Sequence, residues 1–186
     1  MKWEHIDKQV CPVARTASLI GDRWTLLIIR DLFAGLSKFS ELQKTSGMNK
    51  HRLSDRLNRL VEHQVVEKVL YDEKRQRYQY QLTEKGIALF PVMASIVEWG
   101  NAWTSDADGE PLSIKHQCSH ESTVSTVVKC QHCDEEVTPL TAKLEAGPGT
   151  LKKIERGETK YLSPFVKKTT PKEPNKAEGK NNPTKD

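Results

Sequence analysis

Residues 49–60, NKHRLSDRLNRL, carry three leucines and three arginines at helical spacing. On a helix that advances about 100° per residue, one apolar stripe contains Leu53, Leu57 and Leu60. A second, cationic stripe lies roughly 100° away around the helix and contains Arg52, Arg56 and Arg59. The leucines must face a core, so the arginines must point away from it. Asn49 is a suitable N-cap for this helix, which is expected to end near Gln64.

Three shorter helical patterns precede this segment. CPVARTASLIG has a proline suited to a first helical turn and ends at Gly21. DRWTLLIIRDLFAG is typical of a mostly buried helix that ends at Gly35, and SKFSELQKTSG predicts a short helix capped by Ser37 or Ser40. The order helix, short turn, helix is therefore predicted for residues 37–64.

A β-hairpin is predicted directly after the arginine helix. Residues 65–71 (VVEKVLY) and 78–82 (YQYQL) alternate β-branched or aromatic side chains, and the charged DEKRQR separates them. The tip of the hairpin carries Lys74, Arg75 and Arg77. A helix-turn-helix followed by such a hairpin is the plan of a winged helix domain, which is mainly α with a β-hairpin wing.

The charge distribution favours a polyanionic partner. The 186 residues have a formal net charge of +4, and residues 37–82 hold ten Lys or Arg against six Asp or Glu. No apolar run is long enough to cross a bilayer, and no signal peptide follows Met1. A soluble cytoplasmic protein without a membrane partner is expected.

Double-stranded DNA is the partner that fits both basic elements. The helix over about 49–63 is expected in the major groove and the wing, 72–77, on the flanking backbone. Positions in the first turns are placed to approach base edges: Asn49, Lys50, His51, Ser54 and Asp55. Phosphate contacts are expected from Arg56, Arg59, Lys74, Arg75 and Arg77, and Arg52 fits either role.

Several sequence blocks resemble, in order and spacing, the HxlR family of winged helix transcription regulators, relatives of the MarR type. The blocks are CPVARTASLIGDRWTLLIIRDLFAG, KFSELQK, LSDRLNRLVEHQVVEK, YQYQLTEKG and PVMASIVEWG, within residues 10–103. The resemblance implies a homodimer that binds an inverted-repeat operator, here as a repressor. The sequence departs from the family pattern at Asn49, where Ser is frequent, and at Gln64, where Gly is common.

The chain is expected to have three parts. Residues 1–104 form the DNA-binding and dimerisation domain, in which Pro91 divides the helical pattern 83–103 into two helices. The second of these is apolar around much of its circumference, which favours a partner subunit over burial within the same chain. Residues 112–164 form a small β-rich module, and 165–186 form a disordered basic tail.

Cys11 is a candidate redox sensor. If Pro12 opens the first helix, the thiol lies at its N-cap, where the helix dipole favours a thiolate, and Arg15 lies one turn away. In resembling family members a cysteine at this place senses quinones, aldehydes or oxidants. The alternative is a cysteine that is only packed at a helix contact.

The C-terminal third carries metal-ligand types in two groups, HQCSH and CQHC. Cys130 and Cys133 have the C-x2-C spacing that lets two thiolates share one ion, and Zn²⁺ is the expected metal. The predicted ligands are Cys118, His120, Cys130 and Cys133, with His116 as the alternative to His120. Three free thiols in a small appendage are the other interpretation, and DNA binding requires no cofactor.

Two other classes of function compete with DNA binding. An oxidoreductase that uses Cys130 and Cys133 requires a βαβ setting, which VVKCQHCDEEVTPL does not supply, and no other catalytic pattern is evident. An enzyme is therefore not expected. The second class is a zinc-containing protein-interaction module without sequence-specific DNA binding.

Overall fold

A computed structural model describes residues 3–119 and 122–158. Its described elements, in chain order, are a 3-10 helix Trp3–Lys8, α1 Pro12–Ile20, α2 Arg23–Phe33, α3 Phe39–Ser46, α4 Lys50–Glu62, β1 Val66–Asp72, β2 Arg77–Leu82, α5 Glu84–Ile87, α6 Phe90–Thr104 and α7 Pro148–Glu155. The chain divides into two compact units, Met1–Thr141 and Ala142–Asp186. In the described residues, no helix has the length and apolar character that a bilayer span requires. The predicted tail, 165–186, lies outside the described residues.

The helix starts follow local capping chemistry. Pro12 occupies the first turn of α1, and the Asn49 side chain accepts a hydrogen bond from the Arg52 N–H at 2.9 Å at the start of α4, as predicted. The prediction of a serine cap for α3 is wrong. Lys38 is the N-cap residue there, because the Glu41 carboxylate reaches back to accept from the backbone N–H groups of Ser37 and Lys38.

One apolar core holds the first unit together. The leucine stripe of α4 is buried, with Leu53 and Leu57 fully inaccessible. These side chains meet Ile28 and Ile29 of α2 and Leu42 of α3. Each fully buried leucine contributes about 2 kcal/mol, so this face of α4 is fixed inward and the opposite face is left to solvent.

The helix-turn-helix comprises α3 and α4, joined at Gly47, whose φ of +67° is easily reached by glycine. A buried carboxylate braces α3 against α2. Asp31 pairs with the Arg30 guanidinium at 2.6 Å and accepts a hydrogen bond from the Thr45 hydroxyl at 2.6 Å. Its charge is thereby compensated inside the fold.

Strands β1 and β2 form the antiparallel wing, in a register that pairs Val66 with Leu82 and Leu70 with Tyr78. The Tyr80 N–H donates to the Ser37 carbonyl at 2.8 Å, so the segment before α3 pairs with β2. This topology confirms the predicted winged helix-turn-helix.

Pro91 lies in the first turn of α6, where a proline is tolerated, whereas a proline in a helix interior is not. Helix α5 ends before Pro91. The side chains of α6 also hold the segment that follows. The Asn101 amide donates to the Leu112 carbonyl at 2.6 Å, and the Glu98 carboxylate accepts from the N–H and the hydroxyl of Thr126.

Candidate nucleic-acid interface

The exposed face of α4 carries the residues that were predicted to read bases. Each of them is solvent-exposed, since each lies opposite or beside the buried leucines: Asn49, Lys50, His51, Arg52, Ser54 and Asp55. The Asn49 side-chain oxygen already accepts from the Arg52 N–H, so its amide N–H₂ is the part that can reach outward.

The wing presents a second cationic group. Lys74, Arg75 and Arg77 are exposed at the turn, where the Asp72 carboxylate accepts from the Arg75 backbone N–H at 3.1 Å and leaves the guanidinium to solvent. Within residues 3–119 and 122–158, no ion pair engages these three side chains or those of Lys50 and Arg52. Cations without protein partners are the ones that can neutralise phosphates.

Arg56 and Arg59, which were predicted to hold phosphates, each contact acceptors within the protein. Arg56 pairs with Asp22 at 3.3 Å (Nε to Oδ2) and with Asp55 at 3.0 Å, and Arg59 donates to the Ser18 carbonyl. The reason is that α4 packs beside the end of α1 and the start of α2, where acceptors lie within reach of both guanidinium groups.

Asp22 is the residue of this region that sequence reasoning missed. Burial opposes its ionisation, but hydrogen bonds from the Thr25 hydroxyl, the charge of Arg56 and the backbone N–H groups of Trp24 and Thr25 outweigh burial and lower its pKa below 3.8. The carboxylate therefore caps α2 and holds Arg56 at once. The position of Asp22 before a helix predicts the cap. Its ion pair with Arg56, 34 residues away in sequence, forms only through tertiary packing.

Cys11 lies at the N-cap of α1, as predicted, and is half-buried. The Arg15 side chain donates from its Nε to the Gln9 carbonyl at 2.6 Å. The far end of α1 contains Ser18, the acceptor for Arg59 of α4. One short helix thus connects the cysteine with α4.

Apolar side chains of α1 and α6 are exposed on the first unit. Trp103 is 75% accessible, Val13 73% and Trp99 63%. An open cleft of about 420 Å³ lies between α1, α2 and α6, and its lining includes Val13, Leu26 and Ile96. Apolar surface of this kind is typical of a site that another protein chain covers.

All four cysteines are in the described part of the chain and none forms a disulfide. Backbone N–H groups of Cys133 and His132, together with the Cys133 thiol, lower the pKa of Cys130 below its ordinary value. His120 lies outside the described residues. Among those that are described, no three His, Cys, Asp or Glu side chains lie close enough together to hold a metal ion.

Comparisons with known proteins agree with this geometry. Residues 19–108 match the model of the HxlR-like helix-turn-helix family. An uncharacterized HTH-type transcriptional regulator of Mycobacterium tuberculosis is 35% identical over 142 residues, which are 76% of this chain and 89% of the relative. YodB, an HTH-type transcriptional regulator of Bacillus subtilis, is 35% identical over 101 residues, which are 53% of this chain and 90% of YodB. The crystal structure of PA1607, a candidate transcription factor, is 34% identical with a TM-score of 0.70 and covers 77% of this chain and 99% of its own.

Proposed function

Because the chain belongs to the HxlR-like helix-turn-helix family of transcription regulators, we propose that it represses transcription by binding an inverted-repeat operator as a homodimer. The observation that supports this most is the exposed polar face of α4 beside a basic wing whose cations have no ion-pair partner in the described residues. Because the partner is DNA, the proposed place of action is the cytoplasm.

The two elements divide the contacts by chemistry. In this proposal α4 lies in the major groove, where Arg52 donates two hydrogen bonds to a guanine and Lys50, His51 and Ser54 contact neighbouring base edges. Lys74, Arg75 and Arg77 of the wing bind phosphates of the flanking backbone. Arg56 and Arg59 act indirectly, since they hold α4 against α1 and α2.

The proposed homodimer covers the apolar surface of α1 and α6. Exposed Trp99, Trp103 and Val13 are costly in water and become favourable when a second copy buries them. A two-fold dimer then presents two α4 helices to half-sites one helical turn apart, about 34–36 Å.

Binding of purified protein to selected genomic fragments tests the proposal. We expect the fragments to share an inverted repeat, two protomers to bind each repeat, and competitor DNA of scrambled sequence to bind at least about 10³-fold more weakly. Arg52→Ala should reduce that preference without reducing the thermal stability. Equal affinity for selected and scrambled duplexes would refute sequence-specific regulation and favour a module that binds protein.

Cys11 supports a thiol-dependent form of this regulation. Alkylation or oxidation of a half-buried thiol at the start of α1 displaces that helix. Because the Ser18 carbonyl of α1 accepts a hydrogen bond from Arg59, this displacement also shifts α4. We expect diamide to lower the operator affinity of the wild type and of Cys133→Ser, but not that of Cys11→Ser. A Cys11→Ser protein that still responds to diamide would remove Cys11 from the mechanism.

A further inference from the structure

A cavity of about 470 Å³ lies between α1 and α4 in the first unit. Its lining comes from the 3-10 helix, the end of α1, the N-cap of α2 and one side of α4, and it combines apolar with charged residues. Sites for small organic molecules have volumes of about 300–1,000 Å³ and place a few convergent polar groups among apolar walls. This cavity has the size and the mixed lining of such a site.

Arg59 is a cation of this cavity whose charge no carboxylate balances among the described residues. Its guanidinium donates to the Ser18 carbonyl, which is a neutral acceptor, and none of the ion pairs in the described part of the chain includes it. A guanidinium carries several N–H donors in a planar fork that matches a carboxylate. Arg59 is therefore suited to bind an anion that enters the cavity.

The other charged groups of the lining limit the ligand to one negative charge. Arg56 is balanced by Asp22 at 3.3 Å and by Asp55 at 3.0 Å, so its charge is already compensated. His63 adds an imidazole N–H donor. Asp7, which is exposed, adds a negative charge that opposes an anion. A single carboxylate beside the Arg59 guanidinium is the charge that this lining accommodates.

The apolar part of the lining comes from Ile6, Ala17 and Gly21. Ala17 and Gly21 have little or no side chain, so a ligand can approach the backbone of α1 closely. A flat ring can lie against this wall beside Ile6, and the apolar surface that it buries favours binding. An aromatic ring that bears one carboxylate matches both the apolar and the cationic parts of the cavity.

We propose that this cavity, the α1–α4 pocket, binds a small aromatic carboxylate whose oxygens accept hydrogen bonds from the Arg59 guanidinium. A carboxylate is a stronger acceptor than the neutral Ser18 carbonyl, so the ligand replaces the hydrogen bond that links α1 to α4. The loss of this link shifts α4 and lowers the operator affinity. This regulatory consequence rests on the proposed DNA-binding function, whereas binding to the pocket does not.

Isothermal titration calorimetry of the full-length, reduced protein with 2-naphthoate, in the absence of DNA, tests the pocket. We expect one ligand per chain, and 2-naphthamide, the uncharged analogue, should bind at least about tenfold more weakly. Arg59→Gln should lower the affinity for 2-naphthoate at least about tenfold. Lys115→Gln, the same charge change at an exposed position outside the pocket, should leave the affinity unchanged.

Asp7→Asn provides a test that does not depend on the folding of Arg59→Gln. Because this change removes an opposing charge at an exposed position of the lining, it should raise the affinity for 2-naphthoate about twofold. The proposal is overturned if wild-type protein does not bind 2-naphthoate saturably, if 2-naphthamide binds equally well, or if Asp7→Asn leaves the affinity unchanged or lowers it.

A second titration, with operator DNA, tests the regulatory consequence. Saturating 2-naphthoate should lower the operator affinity of the wild type at least about fivefold, and Arg59→Gln should not respond. Binding of 2-naphthoate with an unchanged operator affinity would overturn regulation through the pocket. Absence of operator binding with and without 2-naphthoate would instead overturn the proposed function, and the calorimetric result for the pocket would still stand.

Discussion

Arg56 and Arg75 offer a matched test of which cations contact DNA. Replacing either by glutamine removes one positive charge per protomer. The Arg75 guanidinium is exposed at the wing turn, with no ion pair in the described residues, whereas Arg56 pairs with Asp22 and Asp55. Equal changes in charge are therefore expected to have different consequences.

The magnitudes follow from the geometry. The three wing cations of each protomer, Lys74, Arg75 and Arg77, give six phosphate contacts in a homodimer. Each contact contributes about −0.9 to the slope of log K against log salt, so the wild-type slope is about −5.4. Arg75→Gln removes two contacts per dimer and brings the slope to about −3.6. Arg56→Gln should leave the slope unchanged and lower the free energy of unfolding by about 0.5–1 kcal/mol, because the Arg56 and Asp22 side chains are 29% and 35% exposed and solvent screens their attraction.

Fluorescence anisotropy titrations on one operator fragment at a series of salt concentrations give the slope, and urea denaturation gives the unfolding free energy. Lys115→Gln is the control, since it makes the same charge change at an exposed position outside α4 and the wing. If the slope became as much less negative in Arg56→Gln as in Arg75→Gln, the assignment of Arg56 to Asp22 would be refuted. Arg56 would then have exchanged Asp22 for a phosphate in the complex.

Three further outcomes are expected. Gln64→Gly should raise the free energy of unfolding by about 0.5–1 kcal/mol in urea denaturation, because Gln64 has a φ of +57°, and Gln64→Ala should show no such gain. Gly86→Ala should lower it by about 1–3 kcal/mol, since a Cβ there would lie 2.2 Å from the Val65 carbonyl oxygen, and an unchanged melting temperature would contradict that contact. Hydrogen bonds from the Thr126 hydroxyl and N–H lower the pKa of Glu98 below 4.5, so this contact should persist above pH 4.5 and be lost as the pH falls through the lowered pKa. The hydrogen-exchange protection factor of the Thr126 amide should therefore fall in that pH range. Glu98→Gln should remove this pH dependence.

Local periodicity in the sequence was sufficient for the winged helix-turn-helix. Leucines three and four apart on α4 and alternating side chains in the hairpin bury one face each, so spacing alone indicates both elements. Pro91 likewise marks the start of α6. These signals act within a few residues of one another, and the structure bears them out.

The partners of Arg56 and Arg59 depend on tertiary packing and were not predicted. Asp22 and Ser18 belong to a different part of the chain, and only the docking of α4 beside α1 brings them within reach. One angular clue was present in the sequence. Arg56 is only about 40° from Leu60 around the helix, so it lies at the edge of the buried stripe. An arginine at this position is within reach of acceptors on neighbouring helices.

A small β-rich module was predicted for residues 112–164 from short β-like segments. The described pairings there, Lys115 with Thr123 and Lys129 with Glu136, are isolated bridges where strands were expected. The physical reason is the absence of buried apolar side chains in the described residues 105–158, which leaves no sheet face to pack. His120 lies outside the described residues, and the zinc ligand set therefore stays a prediction.

Two connections make the helix-turn-helix and the wing a single block. The Thr45 hydroxyl ties α3 to Asp31 of α2, and the Tyr80 N–H ties β2 to the Ser37 carbonyl just before α3. Because of these contacts, a displacement of α2 or the wing rotates the helix-turn-helix and the wing as one rigid body. The exposed face of α4 keeps its shape during such a rotation. An inducer that acts on a pair of such blocks consequently controls their spacing and relative angle, so that a weakened complex should respond to the number of base pairs between half-sites more than to their sequence.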